Sequence, residues 1–256
     1  MLTPTVFEVT FEPTIMNPKP GDPGEVTFKA GQFVSVVVPG AGPKGRDLRR
    51  AYSIASAPES KPIELCVKLV EGGPGTNYLY GLRAGDTFKG YAPYGTFIFT
   101  HRPQRHACFI STGTGIAPFR SMIRSESYQQ NKPLSTTLLL GVREENELLY
   151  THEFGNIDWV EFIPAVSRPI DAGAFKGLKG RVTDHFRHSG EHFPWLETDY
   201  YLCGSGAMID EIKMLLTARG VVKESIHVEV YYKPPKDPVV ADAPVASPEA
   251  ADKIGT

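Results

Sequence analysis

The stretch ACFISTGTGIAPFRSMIR, Ala107 to Arg124, decides the fold. An apolar run, ACFIS, gives way to a glycine turn, GTGIAP, and then to a helical segment, FRSMIRSESYQQ. Strand, glycine turn and helix in that order form the repeating unit of an α/β sheet. Gly113 and Gly115, with Thr114 between them, let the backbone approach a phosphate closely. Pro118 pre-sets the first helical turn without wasting a donor. The helix start then offers free N–H groups and the positive end of a dipole to an anion. Pro118 stands where the usual dinucleotide fingerprint has its third glycine, and a glycine turn alone is as readily a plain tight turn as a nucleotide site.

Working outward, STTLLLG, DWVEFIPAV and DYYLCGSG read as further strands, the last leading into AMIDEIKMLLTARG and then SIHVEVYY. LCGSGAMI, Leu202 to Ile209, repeats the turn device at a second strand end. Two such turns converge on the carboxyl edge of one mostly parallel sheet, where ligands of open α/β sheets bind. Upstream the pattern differs. TVFEVTFEP, GEVTFKA, QFVSVVVPG, AYSIAS, IELCVKLV, DTFKGYAP and GTFIFT are short strands between Gly and Pro punctuation, which predicts a small antiparallel barrel. HRPQRH, residues 101–106, joins the two. The sequence therefore predicts a barrel domain over 1–102, an α/β domain over 103–232, and a Pro-, Ala- and Asp-rich tail over 233–256 that cannot bury enough apolar surface to order.

Composition narrows the function classes. The 256 residues are 41% hydrophobic and 22% charged, with a net charge of −2, which argues for a soluble globular protein and against nucleic acid as partner. No run approaches the roughly 18 apolar residues of a membrane span, and MLTPTVFEVTFEP lacks the layout of a signal peptide, so a cytoplasmic protein is expected. Cys66, Cys108 and Cys203 are too few and too widely spaced for a disulfide framework or for the four ligands of an iron–sulfur cluster. Electron transfer, if any, would have to use an organic cofactor.

RRAYSIAS, Arg49 to Ser56, places a cation, a ring and a hydroxyl within four residues of a half-buried strand. Seven motifs then follow in order: RAYS (50–53), CVK (66–68), GPGTNYL (73–79), GTGIAPF (113–119), SR (167–168), CGSGAM (203–208) and VEVY (228–231). Over residues 5–232 the chain resembles the ferredoxin–NADP+ reductase family. That resemblance implies an FAD-binding antiparallel β-barrel followed by a Rossmann-like NADP-binding domain.

Further assignments rest on the same resemblance. In the RAYS motif, which includes Ala51, Arg50 would pair with the FAD pyrophosphate, Tyr52 would lie against the isoalloxazine, and Ser53 would hydrogen-bond near flavin N5. The backbone of Cys66, Val67 and Lys68 would line the flavin, while Gly75 and Thr76 would complete the pyrophosphate cradle with N–H and hydroxyl donors. Ser167 and Arg168 would read the 2′-phosphate of NADP, with Lys179 and Arg181 as second cations. Around CGSGAM, Cys203, Gly204 and Met208 would meet the nicotinamide end, with Glu229 beside Cys203 as orienting or proton-relaying group. Tyr231 would cover the flavin where nicotinamide must enter. The plant enzymes carry an adenine-stacking tyrosine between the positions of Lys68 and Gly75, and LVEGGP has none, which leaves FMN open beside FAD.

The expected activity is electron transfer between NADPH and a one-electron carrier, ferredoxin or flavodoxin, by a monomer. Alternatives are an NAD(P)H-dependent reductase feeding an oxygenase or reducing ferric or flavin acceptors, and a non-catalytic electron-transfer subunit. The basic loop Lys44, Arg46, Arg49 is a solvated loop or a dock for an acidic carrier. His185, His188 and His192 read as a wet helix edge rather than a metal site.

Overall fold

The computed structural model describes residues 1–21, 24–190 and 193–232. Expectations for the 233–256 tail and for His192 lie outside the described residues.

The first hundred residues carry β1 (Val6–Phe11), β2 (Phe33–Val38), β3 (Leu48–Ser53), β4 (Ile63–Lys68), α1 (Pro74–Gly81) and β5 (Gly90–Tyr94). β1 pairs β4, and β3 and β5 flank β2, all antiparallel, with an Ile54–Leu65 bridge joining the two sheets. Val34, Val36, Ile54 and Leu65 form the interior. GEVTFKA and GTFIFT, read as strands from sequence, join no ladder. Side-chain bonds stand in for one: the Gln32 carboxamide accepts from Lys29 N (2.8 Å) and donates to Gly95 O (3.1 Å). The alternation in these segments still buries Phe97 and partly buries Phe28, so hydrophobic periodicity reports burial here rather than strand pairing.

From His106 the chain alternates strand and helix: β6 (His106–Thr112), α2 (Ala117–Arg124), α3 (Glu126–Gln130), β7 (Thr136–Val142), α4 (Thr151–Gly155), β8 (Val160–Val166), β9 (Leu178–Lys179), α5 (Val182–His188), β10 (Thr198–Ser205), α6 (Gly206–Ala218) and β11 (Ile226–Tyr232). These strands make one parallel sheet in the order β11-β10-β6-β7-β8-β9. Both faces are covered, so its central strands are continuous apolar runs. Phe109, Leu138, Leu140 and Tyr201 face α2 and α3, whereas Ile110, Leu139, Tyr200 and Leu202 face α5 and α6. Val6, Ala55, Cys66 and Phe97 of the first half pack into the α2-side core, so the two domains share apolar surface.

Strand order reverses between β6 and β10, and each is followed by one of the two glycine turns. Such a switch point opens a crevice at the carboxyl edge of the sheet. The connector is fastened underneath. Buried Asp199 accepts from Arg102 Nε and Arg105 Nε, both at 2.8 Å, and both guanidinium groups also reach Ser225 Oγ.

Candidate functional site

The crevice is built where β3 and α1 of the first domain face the ends of β6, β10 and β11. On the first-domain side, α1 begins without a side-chain cap and with Pro74 in its first turn, so its N–H groups stay available to an anion. Gly75 is pressed against two predicted ligands. A Cβ there would stand 2.8 Å from Arg50 Cγ and 2.5 Å from the Tyr52 hydroxyl, so only glycine fits. Arg50 is exposed, and its guanidinium donates only to the neighbouring Arg49 carbonyl, at 2.9 Å, with no ion pair among the described residues. Tyr52 is partly buried, which pushes its phenol up to about 12 against the opposing pull of Arg50. A free cation, a capless helix start and a phenol ring converge on one cradle, and these groups fit the pyrophosphate and ring of a flavin nucleotide.

One expectation changes in detail. Thr76 Oγ1 is engaged locally, accepting from Val70 N (3.2 Å) and lying 3.1 Å from Gly73 O, so Thr76 offers a ligand its backbone rather than its hydroxyl. Cys66 and Val67 point into the cores, leaving the backbone and Lys68 as what that segment presents.

On the second-domain side the two turns touch. A Cβ at Gly115 would fall 2.4 Å from Cys203 O, and one at Gly204, where φ is +134°, would fall 2.2 Å from Thr112 Oγ1. Glycine is therefore required at both, for close approach of two backbones. Gly113, with φ +52°, faces open space instead, which leaves that side of the turn accessible. Ser205 N donates to Thr112 Oγ1 at 3.0 Å, locking the β10 end to the β6 end. The Met208 side chain is buried in the α6 core, so its contribution at the turn is backbone.

Four groups meet where the domains close. Ser53, the last residue of β3, donates to Glu229 Oε2 at 3.4 Å. Glu229 lies beside Cys203 in the β10–β11 register. Burial raises the Glu229 carboxyl to about 7, with the Ser53 hydrogen bond pulling the other way. Cys203 is fully buried and its thiol is pushed well up by that burial and by Glu229, so it is a packed neutral group and not a nucleophile. The Tyr231 hydroxyl lies near Ser53 and Cys203, although the residue as a whole is 40% exposed.

At the outer edge, adjacent strand ends bring four cations together. Ser167 N bonds Val142 O (3.1 Å), Arg168 N bonds Arg143 O (2.8 Å), and Gly180 N bonds Val166 O (2.9 Å). Arg143, Arg168, Lys179 and Arg181 thus flank one another on the carboxyl ends of β7, β8 and β9, all exposed and none ion-paired among the described residues. Arg143 was not singled out from sequence. Its only signal is position, directly after the strand STTLLLGV, and its value appears once β7 is known to neighbour β8. No group of three or more His, Cys, Asp or Glu that could hold a metal occurs among the described residues.

Residues 20–99 match the oxidoreductase FAD-binding domain and residues 109–214 the oxidoreductase NAD-binding domain. Ferredoxin–NADP reductase B of Sorangium cellulosum is 32% identical over 242 residues, which cover 90% of this chain and 93% of that protein. The chain belongs to the ferredoxin–NADP+ reductase family. Like other members it is an FAD-dependent oxidoreductase with an NAD(P)-binding domain. The electron transfer component XylA of xylene/toluene monooxygenase from Pseudomonas putida is 30% identical over 73% of this chain, which spans 54% of XylA. The ferredoxin NADP+ reductase of Neisseria gonorrhoeae, solved with FAD and NADP, shares the fold with a TM-score of 0.72 at 21% identity, over 90% of this chain and 94% of that one. No helix among the described residues is long and apolar enough to cross a membrane.

Proposed function

We propose that this reductase passes electrons between NADPH and an acidic one-electron carrier of the ferredoxin or flavodoxin class. The observation that carries the reading is the junction of Ser53 with Glu229 and Cys203, assembled by both domains at the mouth of both glycine turns. A bound flavin supplies the redox chemistry, taking two electrons as hydride and releasing them singly. The chain does the rest. Arg50 and the first turn of α1 hold the pyrophosphate, Tyr52 walls the ring system, and Ser53 marks the reacting edge. The turns at Gly113–Gly115 and Cys203–Gly204 hold the pyridine nucleotide, with its 2′-phosphate on Arg168, Arg143, Lys179 and Arg181. Glu229, ionising near neutral pH, holds or yields a proton through Ser53. The basic loop Lys44, Arg46 and Arg49 is exposed and unpaired among the described residues, with Arg49 lying 3.8 Å over the Tyr91 ring, and it supports an acidic partner. We read the protein as a monomer of two domains meeting near residues 101–106.

Similarity to XylA favours a second reading, in which the same chemistry feeds an oxygenase. Steady-state oxidation of NADPH and NADH with ferricyanide, then with ferredoxin, flavodoxin and an oxygenase component, separates the two. Unaided NADPH oxidation excludes a non-catalytic subunit. Arg168→Ala is expected to lower kcat/KM for NADPH by about 10- to 100-fold, a loss of about 1.5–3 kcal/mol for one charge-assisted contact, and to leave NADH unchanged. Equal shifts for both nucleotides would remove Arg168 from the 2′-phosphate.

A further inference from the structure

The largest ion cluster around a buried side chain among the described residues lies outside the site described above. Arg120 stands on α2, one turn after the GTGI segment, and is 6% exposed. Its Nε meets both oxygens of Glu153, on α4, at 3.0 and 2.9 Å. Its Nη1 crosses to the first domain, donating to the Ala55 carbonyl at 3.1 Å and pairing with the Glu64 carboxylate. The guanidinium lies over the Tyr150 ring at 4.6 Å. Ser121, next in sequence and fully buried, donates to Ser56 O at 2.6 Å.

The far ends of these bonds belong to one rigid unit. Ala55 N bonds Glu64 O at 2.8 Å, Glu64 N bonds Ser56 Oγ at 3.1 Å, and Ile54 bridges Leu65. Ser53 directly precedes that unit and Gly113–Ile116 directly precede α2. Arg120 and Ser121 therefore tie the end of the flavin strand to the helix that carries the nucleotide turn.

We propose that Arg120 is a positioning residue for hydride transfer, setting the spacing between the Ser53 end of the flavin site and the GTGI turn; this rests on the hydride-transfer reading above. Two features separate it from mere domain glue. A buried ion cluster is weak evidence of stability, and in some proteins such groups serve instead to specify one geometry. A guanidinium fork also fixes direction, which an ammonium cannot. Transfer needs reacting atoms about 3–3.5 Å apart, and a misplacement of about 1 Å costs about 10²-fold. A short, directional cross-domain tie is what that tolerance requires.

The test is Arg120→Lys in the FAD-loaded protein, read in separate half-reactions. Reduction of the flavin by NADPH in stopped flow is expected to slow about 10- to 100-fold, and the long-wavelength nicotinamide–flavin absorbance on adding NADP+ to weaken. FAD content, the Kd for NADP+ and reoxidation of the dithionite-reduced protein by ferricyanide should match the unaltered protein. Unchanged NADPH reduction and absorbance would overturn the proposal, as would parallel loss of both half-reactions together with FAD. Glu64→Gln, at a partly exposed acceptor, gives a second test should the lysine variant fail to fold: a 3- to 10-fold slowing of the reductive step alone is expected, and none overturns the proposal. If the unaltered protein itself transfers no hydride from NADPH, the functional reading fails rather than this inference.

Discussion

At Arg120 the two domains meet through a buried cation held by two carboxylates, a backbone carbonyl and a ring face. At Ser53 they meet through one 3.4 Å hydrogen bond to a carboxyl that burial has raised to about 7. Both contacts are polar, and both join the end of β3 or the segment just after it to the nucleotide domain. The first uses its polar groups to fix geometry around a guanidinium that stays charged. The second leaves a proton in play beside the reacting edge. Separating these tasks lets one junction titrate without loosening the alignment kept by the other.

Removing the fixed junction should have the largest effect. Arg120→Met strands Glu64 and leaves Glu153 only the more distant Arg124, at 3.5 Å, with both side chains about a quarter exposed. Breaking one partner of a buried ion cluster costs about 3–5 kcal/mol, and partial hydration of the two carboxylates places this case toward the lower figure. Urea unfolding of the variant and the parent, compared at pH 6 and pH 8, gives the loss directly. A variant as stable as the parent would mean that the cluster is matched by its apolar surroundings, and the contrast between the junctions would lose its structural side.

The titrating junction predicts the opposite sign. Glu229 ionises at its ordinary value of 4.5 when unfolded and at about 7 when folded, because burial disfavours the carboxylate. Its favourable contribution is fully present below 4.5 and is lost as pH rises to 7, by about 3 kcal/mol in all. Glu229→Gln cannot ionise, so relative to the parent it should gain stability between pH 5 and pH 8, and any kinetic step with a midpoint near 7 should become flat. Parallel stability profiles for parent and variant would show that Glu229 is already ionised in the folded protein.

The β6 turn, the second turn at Cys203 and the alternation of strands and helices were readable because each depends on local residue chemistry: glycine at close approaches, proline in a first turn, apolar runs in a doubly covered sheet. RAYS and VEVY were readable by resemblance, as motifs. Arg120 lies inside the deciding stretch yet reads as an ordinary helix residue, since its partners Glu64 and Glu153 lie 56 and 33 positions away. Arg143 was missed for the same reason, being informative only beside Arg168. The Thr76 hydroxyl closes its own loop, a local bond that the motif does not reveal. Strand predictions over GEVTFKA and GTFIFT failed where side-chain bonds from Gln32 replaced a ladder.

The smallest effect should come from the exposed part of the titrating junction. In the β10–β11 register Gly204 faces Val230 and Ser205 faces Tyr232, so Tyr231 is the extra residue of a bulge, without a ladder partner. Its hydroxyl lies near Ser53 and Cys203 while much of the residue remains exposed. A ring on a residue without a ladder partner can be displaced at modest cost. If it covers the place nicotinamide must take, apparent affinity is reduced by the fraction of open conformers. A closed state favoured by about 1 kcal/mol corresponds to roughly fivefold, so Tyr231→Ser should tighten NADP+ binding about 3- to 10-fold and strengthen the long-wavelength absorbance, whereas Tyr232→Ser should do neither. Titrating NADP+ into both variants and recording visible spectra decides the matter. Equal tightening in the two would mean that the strand end as a whole, and not the Tyr231 ring, covers the site; no tightening in either would mean that the ring stands clear of the nicotinamide path and that Ser53 and Glu229 face it directly.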